Sequence, residues 1–393
     1  MKPTRSLFPF LKKDLSSKMV FLGGPRQVGK TTFAKMLAGA IAPGDSAYFN
    51  WDVREDRKKL RDGELPADKN FLIFDEIHKM SKWKNWVKGL FDSHKDKYQI
   101  LVTGSARLDV YKRGGDSLLG RYHHYRLHPF SVAELENFLF DEKHVGKELF
   151  FVDSGQSQKI TKQLLQFGGF PEMYIQADRT ELRRWHNERI DRLIREDIRD
   201  LERVRDLSGI ETLVGILPAK VGSLFSVNSV KEDLEINHKT ADHWMKILER
   251  IYYTYRILPF ASSKIKSLKK QPKVYLWDWS EVQNGGARLE NMVASHLLKF
   301  VHFLYDAWGY KAELYFLRDI DGRETDFMVT LDRKPWFAVE VKLSDEPVSK
   351  NLVYFTERLS IPFSYQISLD TQKDIFVSGV RKMSVEKFLS GLV

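Results

Sequence analysis

The sequence holds no cysteine. That excludes disulfides, a thiol nucleophile and cysteine-ligated zinc, and it fits a reducing compartment. No run of about twenty uncharged apolar residues occurs, so no membrane span is expected. The opening MKPTRSLFPFLKKDL has no apolar core of secretory-leader length ahead of a small-residue cleavage site. A cytoplasmic protein is the expectation from these absences together. Internal repeats and low-complexity segments are absent too, which excludes solenoids and arrays.

What remains is a chain built to fold. At 393 residues it is too long for one ordinary core, and two or three domains are expected. Apolar residues at 42% supply enough material to bury, so extended disorder is excluded. Lys and Arg number 63 against 53 acids, a net charge of +10. That excess permits a polyanionic partner without requiring one. Its main contributors are the segments Lys264–Lys273 and Arg183–Arg205.

The strongest chemical signal is FLGGPRQVGKTT, Phe21 to Thr32. From Gly24 to Thr31 it reads G-x-x-x-x-G-K-T, following the strand-like KMVFLG and preceding a segment with Phe33, Leu37 and Ile41 at helical spacing. Strand, glycine loop and helix arrive in the order a phosphate cradle requires. Gly24, Pro25, Arg26, Gln27, Val28 and Gly29 would wrap backbone N–H groups around the phosphates of ATP. Lys30 would reach the outer phosphates, Thr31 would ligate Mg²⁺, and Thr32 would sit at the helix start. NFLIFDEIH (70–78) follows, a buried strand ending in two acids. Asp75 is expected in the Mg²⁺ shell and Glu76 on the attacking water. QILVTGSARL (99–108) reads as another buried strand, with Thr103 or Ser105 near the outermost phosphate. Arg121 is the first choice for an arginine that stabilises transition-state charge, within the subunit or across an interface. Arg107, Arg113 and Arg126 compete for that role.

These motifs, with GGFPE at 168–172, resemble a prokaryotic AAA+ ATPase family whose members carry a C-terminal domain of unknown function related to restriction endonucleases. The resemblance covers nearly the whole chain. It implies ATP hydrolysis and a homo-oligomer assembled through the ATPase module. GGFPE itself reads as a glycine turn followed by a proline-started helix.

The middle of the chain, Asp178 to Asp206, has acids and arginines three and four apart, the pattern of solvated helix faces. Leu217 to Phe260 reads as three helices and a strand, the outline of a winged helix. In that outline Asn237, His238, Lys239, Thr240 and His243 lie at the exposed start of a recognition helix, where DNA would be reached. Ala287 to Val301 is an amphipathic helix carrying Glu290. Beyond it, Asp326, Glu340 and Lys342 form D-x(13)-E-x-K on a hairpin. Residues two apart on a strand face one side, so Glu340 and Lys342 should point together while Val341 enters the core. The constellation resembles the PD-(D/E)xK nuclease superfamily. That likeness implies Mg²⁺ held by Asp326, Glu340 and Glu290, with Lys342 neutralising phosphate charge.

The expected architecture is an α/β P-loop (AAA+) domain at 1–175, a helical linker and winged-helix-like domain at 176–275, and an α+β restriction-endonuclease-like domain at 276–393. The expected function is a Mg²⁺-dependent AAA+ ATPase associated with DNA and carrying a C-terminal nuclease site. The alternative is a nucleotide-switched module binding DNA or protein, whose nuclease-like fold does not cut.

Overall fold

The structure, a computed structural model, describes residues 5–104, 118–151, 155–198, 206–261 and 271–393, the side chains of 195–197 excepted. It divides into two compact units, Thr4–His128 and Pro129–Val393.

In the first unit the elements are α1 (Phe8–Asp14), β1 (Met19–Gly23), α2 (Lys30–Ile41), β2 (Ser46–Asn50), α3 (Arg54–Asp62), β3 (Phe71–Asp75), α4 (Trp83–His94), β4 (Gln99–Thr103) and β5 (Tyr122–Arg126). The five strands form one sheet in the order β2-β3-β4-β1-β5. Every pairing is parallel. The strands β1 and β3 read as unbroken apolar runs because both faces of a parallel sheet are covered. Phe21, Phe74, Val102, Trp83 and Val87 belong to one core cluster. Phe21 stacks on Tyr122 with ring centroids 4.3 Å apart, and Phe74 meets the edge of Trp86 at 5.3 Å.

Parallel register has a direct consequence for chemistry: it lines up the carboxyl ends of the strands. Leu22 and Asp75 both pair with Thr103, and Gly23 pairs with Arg126. The loop after β1, the acids after β3 and the hydroxyl closing β4 therefore share one edge, where ligands of open α/β sheets bind. Arg121 precedes the opposite, amino end of β5, where its carbonyl accepts from the Met19 amide at 3.0 Å.

The second unit starts earlier than the sequence pattern suggested. Residues 129–175 pack with the C-terminal chain through long-range bonds invisible in a local reading. The Val132 amide donates to His296 Nε2 at 3.2 Å. Trp279 Nε1 donates to Leu164 O and Trp336 Nε1 to Lys147 O, each at 2.7 Å. A buried ion pair joins Lys299 to Glu134 at 2.6 Å.

Ahead of its strands this unit carries, among other helices, α5 (Ser157–Phe167), α6 (Pro171–Gln176), α7 (Arg179–Arg192), α8 (Leu207–Ile216), α9 (Val227–Asp233) and α10 (His238–Arg250). GGFPE is as read: Gly168 turns at φ +76 and Pro171 opens α6. Ser226 stands at the start of α9 but its side chain makes no capping bond, whereas Asn237 caps α10 by accepting from the Thr240 amide at 2.9 Å.

An antiparallel hairpin follows, β6 (Thr254–Pro259) with β7 (Lys273–Leu276). Then come α11 (Gly285–Trp308), β8 (Ala312–Arg318), β9 (Glu324–Leu331), β10 (Lys334–Lys342), α12 (Lys350–Leu359), β11 (Phe363–Ser368), β12 (Ile375–Val377), β13 (Val380–Ser384) and α13 (Val385–Ser390). One eight-stranded sheet runs β12-β13-β11-β10-β9-β8-β6-β7. Within it β8, β9 and β10 are an antiparallel meander, and α12 crosses over so that β11 lies parallel to β10. Asp332 and Arg333, both at positive φ, make the two-residue turn between β9 and β10. The hairpin β6–β7 extends the C-terminal sheet: β6 pairs with β8, so the helical segment and the last third of the chain share one sheet.

Candidate functional site

The loop between β1 and α2 is shaped by its glycines. Gly24 has φ +149, and a Cβ there would lie 2.4 Å from the Leu127 carbonyl oxygen. Gly29 enters α2 at φ +93. Between them Gln27 holds φ +60, a conformation unfavourable for a residue with a Cβ. Pro25 and Val28 are buried, Arg26 and Gln27 half-buried, and Thr32 is exposed. Lys30 is buried and curls into its own loop, donating to the carbonyls of Gly24 at 3.0 Å and Pro25 at 2.8 Å.

Asp75 is the centre of the site. Its carboxylate accepts from Thr31 Oγ1 at 2.9 Å, from Thr103 Oγ1 at 2.6 Å and from the Tyr48 hydroxyl at 2.6 Å. Burial and then the Asp75 carboxylate push the Tyr48 phenol above its ordinary range. Thr31, Asp75 and Thr103 are thus brought together as expected. A hydroxyl and a carboxylate from two elements are the hard oxygen donors that Mg²⁺ takes, so these residues fit that ion.

Glu76 adopts φ +55, which ends β3 abruptly, and its amide donates to the Thr103 carbonyl at 2.9 Å. Burial pushes its carboxyl up, while Lys30 and Lys79 pull it back. Lys79 Nζ stands 3.6 Å from Glu76 and 2.7 Å from Asp52.

Two contributors escaped the sequence reading. Tyr48, at the middle of β2, carries no motif. Arg5 is buried and donates to Val28 O at 2.6 Å and His128 O at 3.0 Å, bracing the loop from behind. No local pattern distinguishes either one, because their partners are remote in sequence.

Arg121 is not brought to the loop. It lies at the far end of the sheet and makes a two-pronged ion pair with Asp92 of α4 at 2.7 and 3.1 Å. Within one subunit this corrects the first choice among the arginines: register puts Arg126, beside Gly23, on the loop's edge instead. Ser105, Arg107 and Arg113 lie outside the described residues.

Residues 16–136 match a family model described as an AAA domain. The parallel sheet and its loop are an AAA P-loop domain. Beyond this AAA domain, residues 158–282 and 285–385 match two further models, each described as a domain of unknown function, DUF8612 and DUF4143. Uncharacterized protein MJ1544 of Methanocaldococcus jannaschii is 23% identical over 352 residues, covering 85% of this chain and 77% of that relative. Uncharacterized protein Rv2008c of Mycobacterium tuberculosis is 22% identical over 342 residues, covering 84% and 71%. Among solved structures, AMPPCP-bound DnaA from Aquifex aeolicus covers 63% of this chain and 88% of its own at 15% identity, with a TM-score of 0.33. The Aeropyrum pernix ORC1 protein in complex with DNA covers 75% and 94% at 14% identity, with a TM-score of 0.35. Those scores are too low to extend the assignment beyond the AAA domain.

In the second unit the structure gathers Glu290 (α11), Asp326 (β9), Glu340 and Lys342 (β10), and adds a residue the motif does not contain. Lys273 of β7 stands 3.2 Å from Glu290, 2.7 Å from Glu324 and 3.9 Å from Asp326. Tyr275 donates to Glu290 at 2.8 Å, and the Val341 amide to Asp326 at 2.8 Å. Lys342 pairs with Glu340 at 3.0 Å. Burial, then repulsion from Asp326, pushes Glu290 and Glu340 each up to about 7 against the pull of their lysines. Asp326 is raised by burial as well. Contrary to expectation, Val341 is only half-buried and Glu340 is the buried one, since it faces the carboxylate cluster. Among the described residues no group of three or more His, Asp or Glu is arranged to hold a metal ion. As it stands, the cluster turns most of its negative charge to lysines, a tyrosine and an amide, leaving Glu340 Oε2 buried without a donor, and with Lys273 in place it does not fit a divalent ion. No helix among the described residues is long and apolar enough to cross a membrane.

Proposed function

We propose that the chain is a Mg²⁺-dependent ATPase that uses nucleotide turnover to control a nucleic-acid-binding second unit. The observation that carries this reading is the Asp75 carboxylate, held jointly by the hydroxyls of Thr31 and Thr103 at the mouth of the glycine loop. Those oxygens would hold Mg²⁺, which supplies charge neutralisation for the phosphates when bound.

The chain's own groups do the rest. Backbone amides from Gly24 to Gly29 and the amino end of α2 would cradle the phosphates. Lys30 would exchange the carbonyls of Gly24 and Pro25 for phosphate oxygens. Glu76 would orient water and take its proton, at a position fixed by the hydrogen bond its backbone amide donates to the Thr103 carbonyl. An arginine supplied by a second copy would require an oligomer. If Arg121 is that residue, its pair with Asp92 must open.

The test is Lys30→Ala measured by equilibrium binding of a fluorescent ATP analogue. Loss of a charge-assisted contact to phosphate should weaken binding roughly 10- to 100-fold. Unchanged affinity would reject the loop as the nucleotide site.

DNA is the partner proposed for the second unit, with the winged-helix outline of α9, α10 and β6–β7 as its support. Asn237, His238 and Lys239 are exposed at the start of α10. Binding should weaken linearly in log affinity against log salt, and Lys239→Ala should lower that slope by about one. A salt-independent interaction, or a slope unmoved by the substitution, would point to a protein partner instead.

A further inference from the structure

Lys273 enters the C-terminal carboxylate cluster from outside the motif that defines it. Glu290, Asp326, Glu340 and Lys342 come from α11, β9 and β10, whereas Lys273 arrives on β7, the outermost strand of the shared sheet. Its side chain is 3% exposed. Three carboxylates, Glu290, Glu324 and Asp326, surround its ammonium at 3.2, 2.7 and 3.9 Å. Glu324 and Glu290 lie within hydrogen-bond reach of the ammonium, and Asp326, farther off, adds a third negative charge beside it.

Several of the remaining oxygens are held as well, whereas Glu340 Oε2 is buried and accepts from no donor. The Tyr275 hydroxyl, two residues along the same strand, donates to Glu290. The Val341 amide donates to Asp326 Oδ2, Arg318 pairs with Glu324 at 2.5 Å, and Lys342 pairs with Glu340. A divalent ion placed among Glu290, Glu324 and Asp326 would have to expel Lys273, whose buried stem has no solvent to turn into. The expelled ammonium would then lie uncompensated beside a doubly charged ion, a costly arrangement in a desolvated site.

We infer that Lys273 is the resident cation of this cluster, that the site takes up no Mg²⁺ or Mn²⁺, and that the C-terminal domain does not cut phosphodiesters by metal-activated water. The inference rests on the second unit alone and stands or falls separately from the ATPase reading. It also accounts for the hairpin β6–β7, whose second strand supplies the charge that keeps an acidic cluster folded in the neighbouring segment.

The experiment titrates Mn²⁺ into the nucleotide-free full chain and follows free ion by electron paramagnetic resonance, beside a DNA cleavage assay in Mn²⁺. Wild type, Asp326→Asn and Glu340→Gln should bind the same amount of Mn²⁺, and none should cleave. Lys273→Met should gain one Mn²⁺ per chain, and Lys273→Met with Asp326→Asn should lose it again. A wild-type Mn²⁺ site or cleavage activity that disappears in Asp326→Asn overturns the inference. A folded Lys273→Met that gains no ion also counts against it. Should Lys273→Met fail to fold, the comparison of wild type with the two carboxylate variants decides alone.

Discussion

Glu76→Gln should bind ATP within about two-fold of wild type yet hydrolyse it roughly 100- to 10,000-fold more slowly, the range expected for loss of a positioned general base. The amide keeps the shape of the carboxylate and, through the unchanged backbone, the bond from the residue 76 amide to Thr103 O. It cannot accept a proton from water. The neighbouring Asp75 keeps its three hydroxyl donors, so the groups proposed to hold Mg²⁺ are untouched. Phosphate release under saturating nucleotide, set beside equilibrium binding, separates the two effects. The pH profile adds a second readout. Burial raises the Glu76 carboxyl above its ordinary value. A base must be deprotonated to act, so the acidic fall in turnover should occur at higher pH than a solvated glutamate would give. Normal turnover in the variant would remove Glu76 from its assigned role, and an unshifted acidic limb would remove burial from the explanation.

The two sites were legible to different degrees, for physical reasons. Gly24–Thr31 and Asp75-Glu76 could be read because each is a contiguous motif next to a strand, and backbone register alone brings them to one edge. Tyr48 and Arg5 could not, since each acts through one long side chain on a partner remote in sequence. Arg121 and Arg126 show what register adds. They are five positions apart on the same extended segment, and only the parallel pairing with β1 says which end faces the loop. The D-x(13)-E-x-K pattern correctly located a cluster of charges on facing strands. It is silent about Lys273, which in sequence is one more basic residue at the end of a charged segment. The burial of Glu340 in place of Val341 has the same origin: strand alternation names two faces but not which one is covered.

Arg189→Met should destabilise the second unit by about 3–5 kcal/mol, the cost of leaving buried acids without their cation. Arg189 lies between two buried carboxylates, Asp278 at 3.3 Å and Glu281 at 3.0 Å, with its guanidinium over the rings of Phe170 at 4.5 Å and Trp185 at 5.0 Å. Tyr253 donates to the other oxygen of Glu281 at 2.8 Å, and Ser280 Oγ to Asp278 at 2.7 Å. Burial pushes Glu281 up. It would do the same to Asp278, but His186 and Arg189 outweigh it and hold that carboxyl below its ordinary value. The GGFPE turn abuts the same group, for a Cβ on Gly168 would lie 2.6 Å from Asp278 Oδ1. The motif that sequence alone left without chemistry is thus the lid of a buried ion cluster, and glycine is required there by both φ and space. Hydrogen exchange reads the prediction locally: amides of 179–192 and 273–285 should lose protection in Arg189→Met while those of 19–50 keep theirs. Adding Asp278→Asn and Glu281→Gln removes the stranded charges and should restore part of the protection. If Arg189→Met is as protected as wild type, the cluster is not what holds α7 to the sheet.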